Sequence, residues 1–417
     1  MKKRLLWVWS LSRAGRWWLI VLFGLISIFI SGLALTNHFA VDFKWIPRLF
    51  AVFILIVGAA LTIYGFLRGI QGIVDSLSPF TPFNVYEFLQ KDIMRKKGPH
   101  IVVVGGGTGL SVLLKGLKKY TNNLTAVVTV SDDGGSSGRL RDELGILPPG
   151  DIRNCLVALA ETENLMDEVF QHRFQTGSLQ GHNLGNLLLT ALSDITGDFL
   201  GAIKEVSKVL AVRGQVLPAT LDHVTLKALM DDGEIVLGET AITRAGKQIK
   251  EITLVPEDCK ALPDAVHAIM GADAVVLGPG SLFTSIIPNL LVKEIGDALR
   301  ETAATRIFVV NIMTQHGETA GYNAINHLEA LNDHIGDGHI QYVIINNAPI
   351  DEERLSRYQE EGAMPVGYNA GELAHIGAKP VLGSFLGQDN VARHDPDRLA
   401  RAIMRILYRN KGLSWLG

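Results

Sequence analysis

Cysteine is scarce in this chain: Cys155 and Cys259 are the only two in 417 residues. One distant pair supports neither a disulfide framework nor a zinc site, so two reduced, buried thiols are expected. A dominant charge sign is missing too. Lys and Arg number 39 against 42 Asp and Glu, giving a net charge of -3 and a pI near 6.5. No global basic field invites nucleic acid. The sequence contains no G-x-x-x-x-G-K-[ST] and no H-E-x-x-H, which leaves P-loop kinase and zinc-protease readings without support. Internal repeats and low-complexity tracts are also absent.

Long apolar runs, by contrast, are present at the N-terminal end. Trp17 to Leu35 and Leu49 to Leu67 are uncharged and long enough to span a bilayer, with the polar turn Asn37, His38, Asp42, Lys44 and Arg48 around their junction. Lys2, Lys3, Arg4, Arg13 and Arg16 precede the first run, and Arg68, Lys91, Arg95, Lys96 and Lys97 follow the second. The positive-inside rule then predicts a cell-membrane protein with two spans and both termini in the cytoplasm. A cleaved signal peptide fits less well, because a second span follows the first at once. The expected organisation is a transmembrane hairpin over 1–68, a linker over 69–98 and a cytoplasmic domain over 99–417. Pro79 and Pro82 interrupt helix in the linker, and Val85 to Lys97 can form a short amphipathic helix whose basic end touches anionic headgroups or solvent.

From Ile101 onward strands alternate with helices. Ile101–Val104, Leu124–Val130, Ala274–Leu277, Ile307–Val310 and Tyr342–Ile345 read as strands. Leu110–Lys119, Ile152–Glu161, Leu184–Leu192, Phe199–Leu210, Leu262–Met270, Ile287–Arg300 and Leu399–Tyr408 read as helices. This alternation predicts an α/β fold, a Rossmann-like doubly wound parallel sheet. Thr220 to Val255 departs from it, with short β-like pieces around Asp232-Gly233 and Ala245-Gly246. A small antiparallel excursion is expected there, serving as a cap or as a contact in a homo-oligomer.

Several strand ends carry groups suited to an anionic ligand. Gly105, Gly106, Gly107, Thr108 and Gly109 follow four β-branched residues and lead into a helix, so backbone N–H groups and the helix dipole converge on one spot. The spacing is G-x-G-x-G rather than G-x-G-x-x-G, which does not support a standard nicotinamide site. Asp132, Asp133, Gly134, Ser136 and Arg139 form an acidic glycine-rich loop that could bind ribose hydroxyls, chelate Mg²⁺ or clamp a phosphate. Asp151 is placed to cap a helix that carries Arg153 and Asn154 in its first turn. His182, Asn183 and Asn186 share one end of an apolar helix, suited to ligand hydrogen bonding or acid–base work. Gly278, Pro279, Gly280 and Ser281 form a second strand–glycine–helix cradle. Asn311 to Tyr322 gathers polar groups at another strand end, where Glu318 or Thr319 could reach substrate.

The strings VVGGGTGLSVLLKGLK, TVSDDGGSSGRLR, PPGDIRNCL, GHNLGNLLL, VLGPGSLFTSIIPNLLV and MTQHGETAGY, in that order, resemble the gluconeogenesis factor family within the 2-phospho-L-lactate transferase superfamily. The likeness runs from Gly98 to about Tyr408. It implies a crevice for a nucleotide sugar, UDP-N-acetylglucosamine above all, and a regulatory role in cell-wall precursor supply, cell shape and growth on gluconeogenic carbon, exercised through a protein partner. Carried over residue by residue, Gly105 to Gly109 and Gly278 to Ser281 meet phosphates, while Asp132, Asp133, Arg139, Asn154, His182, Asn183 and Asn186 line the rest. Related transferases move a phospholactyl group from a guanosine-diphosphate donor to a deazaflavin with Mg²⁺, which makes an Mg²⁺-dependent transferase the alternative. This chain has His316 and Ala320 where the family string MTQPGETDGY carries proline and aspartate, so no role is carried over to those two positions.

Overall fold

A computed structural model describes residues 2–36, 48–77, 94–161, 164–375 and 377–411. The chain divides into two compact units, Met1–Met94 and Arg95–Gly417.

The first unit is a pair of helices, Lys2–Thr36 and Arg48–Leu77. Within them Arg16–Leu35 and Arg48–Ile70 are each long and apolar enough to cross a membrane. Small residues set how closely they pack: a Cβ at Gly58 would stand 2.9 Å from the Gly24 carbonyl, and one at Gly65 would stand 3.0 Å from the Trp17 carbonyl. Trp17 meets Tyr64 edge-on at 5.7 Å, and the Arg68 guanidinium lies over both rings. Leu19, Phe23, Phe53 and Ile56 point outward. The second helix continues past Arg68 to Leu77, just short of Pro79; most of the Val85–Lys97 stretch lies outside the described residues.

The second unit is built on a seven-stranded sheet in the order β10-β9-β8-β7-β1-β2-β3. Its strands are β1 Ile101–Gly105, β2 Leu124–Val128, β3 Gln215–Pro218, β7 Ala274–Leu277, β8 Thr305–Val309, β9 Tyr342–Asn346 and β10 Lys379–Gly383. Every pairing in it is parallel. Ile101 to Val104 are fully covered because helices lie on both faces. On one of them, Gly107–Leu117, the residues Leu110, Leu113, Leu114 and Leu117 fall at helical spacing and are all 0% exposed. A separate antiparallel sheet, β5-β4-β6, holds β4 Thr225–Met230, β5 Ile235–Leu237 and β6 Ile249–Val255. It is the expected excursion, and Gly233 and Gly246 take positive φ at its turn signals.

Three local expectations change. The stretch after β2 is a loop only to Gly134; helix begins at Gly135 and runs to Leu144, with Gly134 as N-cap. The single helix expected over Ile287–Arg300 is instead a π-helix Leu282–Ile286 followed by Ile287–Leu291 and Lys293–Glu301. The two outermost strands, β3 and β10, are short and each contains a proline, which suits an edge but hides a strand from pattern reading.

Candidate functional site

Strand order reverses beside β1. The chain proceeds from β1 to β2 and β3 in one direction, then from β7 to β8, β9 and β10 in the other. Crossovers therefore leave on opposite faces at the β1/β7 boundary, opening a crevice beyond the strand ends. Both glycine turns lie there. A Cβ on Gly109 would be 2.5 Å from the Pro279 carbonyl oxygen, and one on Gly280 would be 3.2 Å from the Gly106 carbonyl oxygen. Only residues without side chains let these two backbones touch. Together they line one side of a cleft of ≈ 230 Å³. Val112, Met313, Tyr358, Arg393 and His394 also line it.

Side chains behind the turns hold them in place. Asn311 Oδ1 accepts from the Gly280 N–H at 3.2 Å, while its Nδ2 donates to the Gly280 carbonyl at 2.8 Å. Gln315 Nε2 donates to Ser281 Oγ at 2.8 Å. Gly278 takes φ +76 and follows β7, but its N–H donates to the Val104 carbonyl, so it completes the sheet rather than facing the cleft. The N–H groups of Thr108 and Gly109 stand in the first helical turn, where no intrahelical acceptor exists. They supply the positive end of that cradle.

Asp151 has a different place from the expected one. Pro149 is the N-cap of the Gly150–Leu159 helix, and the Asp151 carboxylate turns across to accept from the Gly107 N–H. It fills the space where a Cβ on Gly106 would come within 2.5 Å of its Oδ2. Burial pushes its carboxyl up to about 6, against the pull of that hydrogen bond. From it a network runs outward. Asn154 bonds Asp151, and its Oδ1 accepts from Arg153 Nη2 at 2.7 Å. Arg153 Nη1 donates to Asn186 Oδ1 at 2.7 Å. Asn183 caps the Leu184–Thr196 helix by accepting from the Asn186 N–H, and its own N–H donates to Ser136 Oγ at 3.2 Å. Ser136 Oγ meets His182 Nδ1 at 3.3 Å. Burial lowers the Arg153 guanidinium to about 10, and its Nε has no partner.

The structure thus joins Asn154, His182, Asn183, Asn186 and Ser136, with Arg153, into one largely buried network that meets the first glycine turn through Asp151, behind the cleft lining. Asp132 sits in the same acidic neighbourhood, accepting from the Gly134 N–H at 2.9 Å; burial raises its carboxyl. Asp133 and Arg139 are turned elsewhere. Asp133 Oδ1 accepts from the Thr240 N–H and Oγ1 at 2.9 and 2.7 Å, pinning the antiparallel excursion. Arg139 donates to the Gln180 carbonyl at 3.1 Å. Glu318 and Thr319 do not reach into the cleft. Glu318 accepts from Thr284 Oγ1 and the Phe283 N–H, and burial raises it to about 7. Thr319 is fully buried and closes its own turn onto Gln315. His316 and Ala320 are exposed.

Pattern reading missed Glu239, Tyr358, Arg393 and His394. Glu239 opens a helix of the excursion and is raised to about 9, first by burial and then by Asp132, Asp151, Glu318 and Asp133. Tyr358, Arg393 and His394 arrive from distant helix and loop segments with no motif around them. His394 is buried, its Nε2 has no partner, and desolvation lowers it to about 4. Among the described residues no three His, Cys, Asp or Glu side chains form a metal-holding group. An all-protein cation cage is therefore not built here. Mg²⁺ commonly takes only one or two carboxylates and completes its shell with phosphates and water, a role open to Asp132 and Asp151.

A parallel sheet with two glycine turns meeting at its switch point defines a doubly wound α/β protein, a class whose ligands bind in the crevice at the strand ends. Residues 101–386 match the family described as 2-phospho-L-lactate transferase CofD. The chain belongs to that family. It is 50% identical over 313 residues to the gluconeogenesis factor of Halalkalibacterium halodurans, covering 75% of this chain and 97% of the other. With the gluconeogenesis factor of Bacillus subtilis it shares 48% identity over 311 residues, 74% and 98% of the two chains. The crystal structure of a UPF0052-family protein from Bacillus halodurans, 49% identical, superposes with a TM-score of 0.71 over 73% of this chain and 99% of that one.

Proposed function

We propose that this protein is a membrane-tethered gluconeogenesis factor that binds a nucleotide sugar, UDP-N-acetylglucosamine, and uses its occupancy to regulate cell-wall precursor metabolism and cell shape. The observation that carries the reading is the meeting of the Gly107 and Gly280 turns in one cleft, joined through Asp151 to the Asn154–His182 network. Two anion cradles suit a diphosphate. The polar network behind Asp151 offers hydrogen-bonding groups for the hydroxyls of a sugar, and Tyr358 and Arg393 in the cleft lining supply a ring face and a cation. The names of the relatives support the gluconeogenic role. The two apolar helices and the cations flanking them support a tether with both ends in the cytoplasm.

The test is calorimetry on the full chain in lipid nanodiscs with UDP-N-acetylglucosamine, guanosine diphosphate and a dinucleotide. The expected result is saturable binding of the uridine sugar nucleotide without turnover. At a ligand concentration about 100 times Kd the domain gains roughly 2.7 kcal/mol against unfolding. Preference for the guanosine nucleotide with product formed on a deazaflavin would replace this reading with the Mg²⁺-dependent transferase, which the family match and the Asp132–Asp151 pair favour. No binding of any of the three would reject both.

A further inference from the structure

We propose that the rim of the sheet opposite the crevice, where the strands begin, is a docking surface for anionic lipid headgroups, so that the cleft opens away from the bilayer. The proposal rests on the membrane-tether reading above and adds a contact made by the globular unit itself.

The first observation is where cations collect. The compact unit starts at Arg95, just before β1, and Lys96 and Lys97 there are exposed. The last helix, Pro396–Asn410, ends on the same rim. Its Asn410 bonds Thr305 and Tyr342, the first residues of β8 and β9, at 3.2 and 2.8 Å, and Lys411 pairs with Asp273, just before β7, at 2.7 Å. This brings residues from the two ends of the domain sequence together. Lys96, Lys97, His100, Asn123, Tyr408 and Lys411 line one groove of ≈ 350 Å³. Arg401, Arg405 and Arg409, at helical spacing, line a groove of ≈ 540 Å³ that runs along the edge strand from Tyr342 to Phe385, with Arg409 at its rim end beside Asn410. Lys379, at the start of β10, is exposed as well.

The second observation is charge balance. The rim's turns carry the acids Asp273, Glu301 and Asp337; Asp273 is already paired with Lys411. Nearby, Glu161 pairs with Arg213 and Asp397 with Lys119. The half-buried acids Asp132, Asp151 and Glu239 and the buried Glu318 all lie toward the crevice end. A chain of net charge -3 therefore has its positive end at the strand starts, and such an asymmetry orients a domain over a negative surface.

The third observation identifies the occupant. Only Ser78 to Met94 separate Leu77, the end of an apolar helix long enough to span a bilayer, from Arg95. The chain thus enters the domain on its basic rim, and 17 residues connect it to that helix. Lipid headgroups of net negative charge are the anions held there at high local concentration.

The test uses the full chain in phosphatidylcholine nanodiscs with and without phosphatidylglycerol. A fluorophore is attached at Asp337→Cys on the basic rim or at Ala320→Cys, exposed in the loop after β8; Cys155 and Cys259 are buried. Headgroup-nitroxide lipids report proximity. Quenching at 337 that requires phosphatidylglycerol and fades with salt, with none at 320, is the expected result. Replacing Lys97 and Arg409 by Ala should lower the docked-to-undocked ratio roughly thirtyfold, at about 1 kcal/mol per cation. Equal quenching in neutral discs, or quenching at 320 instead, overturns the proposal. A chain that fails to enter discs overturns the tether reading; the same labels read on vesicles of the same lipids then decide the rim alone, salt-sensitive quenching at 337 supporting it and no quenching overturning it.

Discussion

Gly109 shows how a single residue can be decided by its neighbours. A methyl group there meets the Pro279 carbonyl oxygen and the Gly280 nitrogen, both backbone atoms with no rotamer to give. Gly109→Ala should destabilise the domain by about 1–3 kcal/mol through overpacking and abolish nucleotide binding, read by denaturation and calorimetry on one preparation. Glu239 makes a pH prediction. Its folded value of about 9 lies above the ordinary 4.5, so the folded state binds the extra proton between these values. Stability should be greatest below the lower value and fall as pH rises toward the higher. Glu239→Gln should flatten that slope, leave stability near pH 4 little changed and raise it at pH 8 by roughly 1–3 kcal/mol, the scale of a buried polar group relieved of its penalty. An unchanged slope in thermal melts would reject the assignment. On the cleft wall, Arg393→Ala should weaken a diphosphate ligand by about 10- to 150-fold, as for losing a charge-assisted hydrogen bond worth roughly 1.5–3 kcal/mol.

At the scale of elements, the strands buried on both faces were legible because β-branched runs such as Ile101–Val104 have few other uses. The amphipathic Gly107–Leu117 helix was legible for its leucine spacing, and Leu113→Ala should cost about 2–5 kcal/mol there. Helix Gly135–Leu144 was not legible: Gly134, Gly135 and two serines read as loop, yet Gly134 is an N-cap and Asp132 ties the entry down. Asp133 illustrates the same limit from the other side. A carboxylate at a strand end suggests a ligand contact, but its partner Thr240 lies in the antiparallel excursion, too far along the chain to pair by pattern. Asp133→Ala should therefore loosen the excursion, raising amide exchange over Glu239–Ala245, while nucleotide affinity changes less than in Arg393→Ala.

For the whole molecule, the order of motifs along the chain was enough to expect a doubly wound sheet with two phosphate cradles. Their convergence at one rim follows from the same order, and the crossover from β3 to β7, returning beside β1, brings the two turns into contact. The rest of the cleft lining was hidden, because Tyr358 and His394 come to the cleft only after the sheet is complete. Hydrogen exchange on the full chain in nanodiscs, with and without UDP-N-acetylglucosamine, reports whether one ligand spans the cleft. Ligand-dependent protection is expected at Gly106–Leu110, Gly280–Phe283 and His182–Leu187 together. Protection confined to one of these segments, or appearing only outside the cleft, would contradict it.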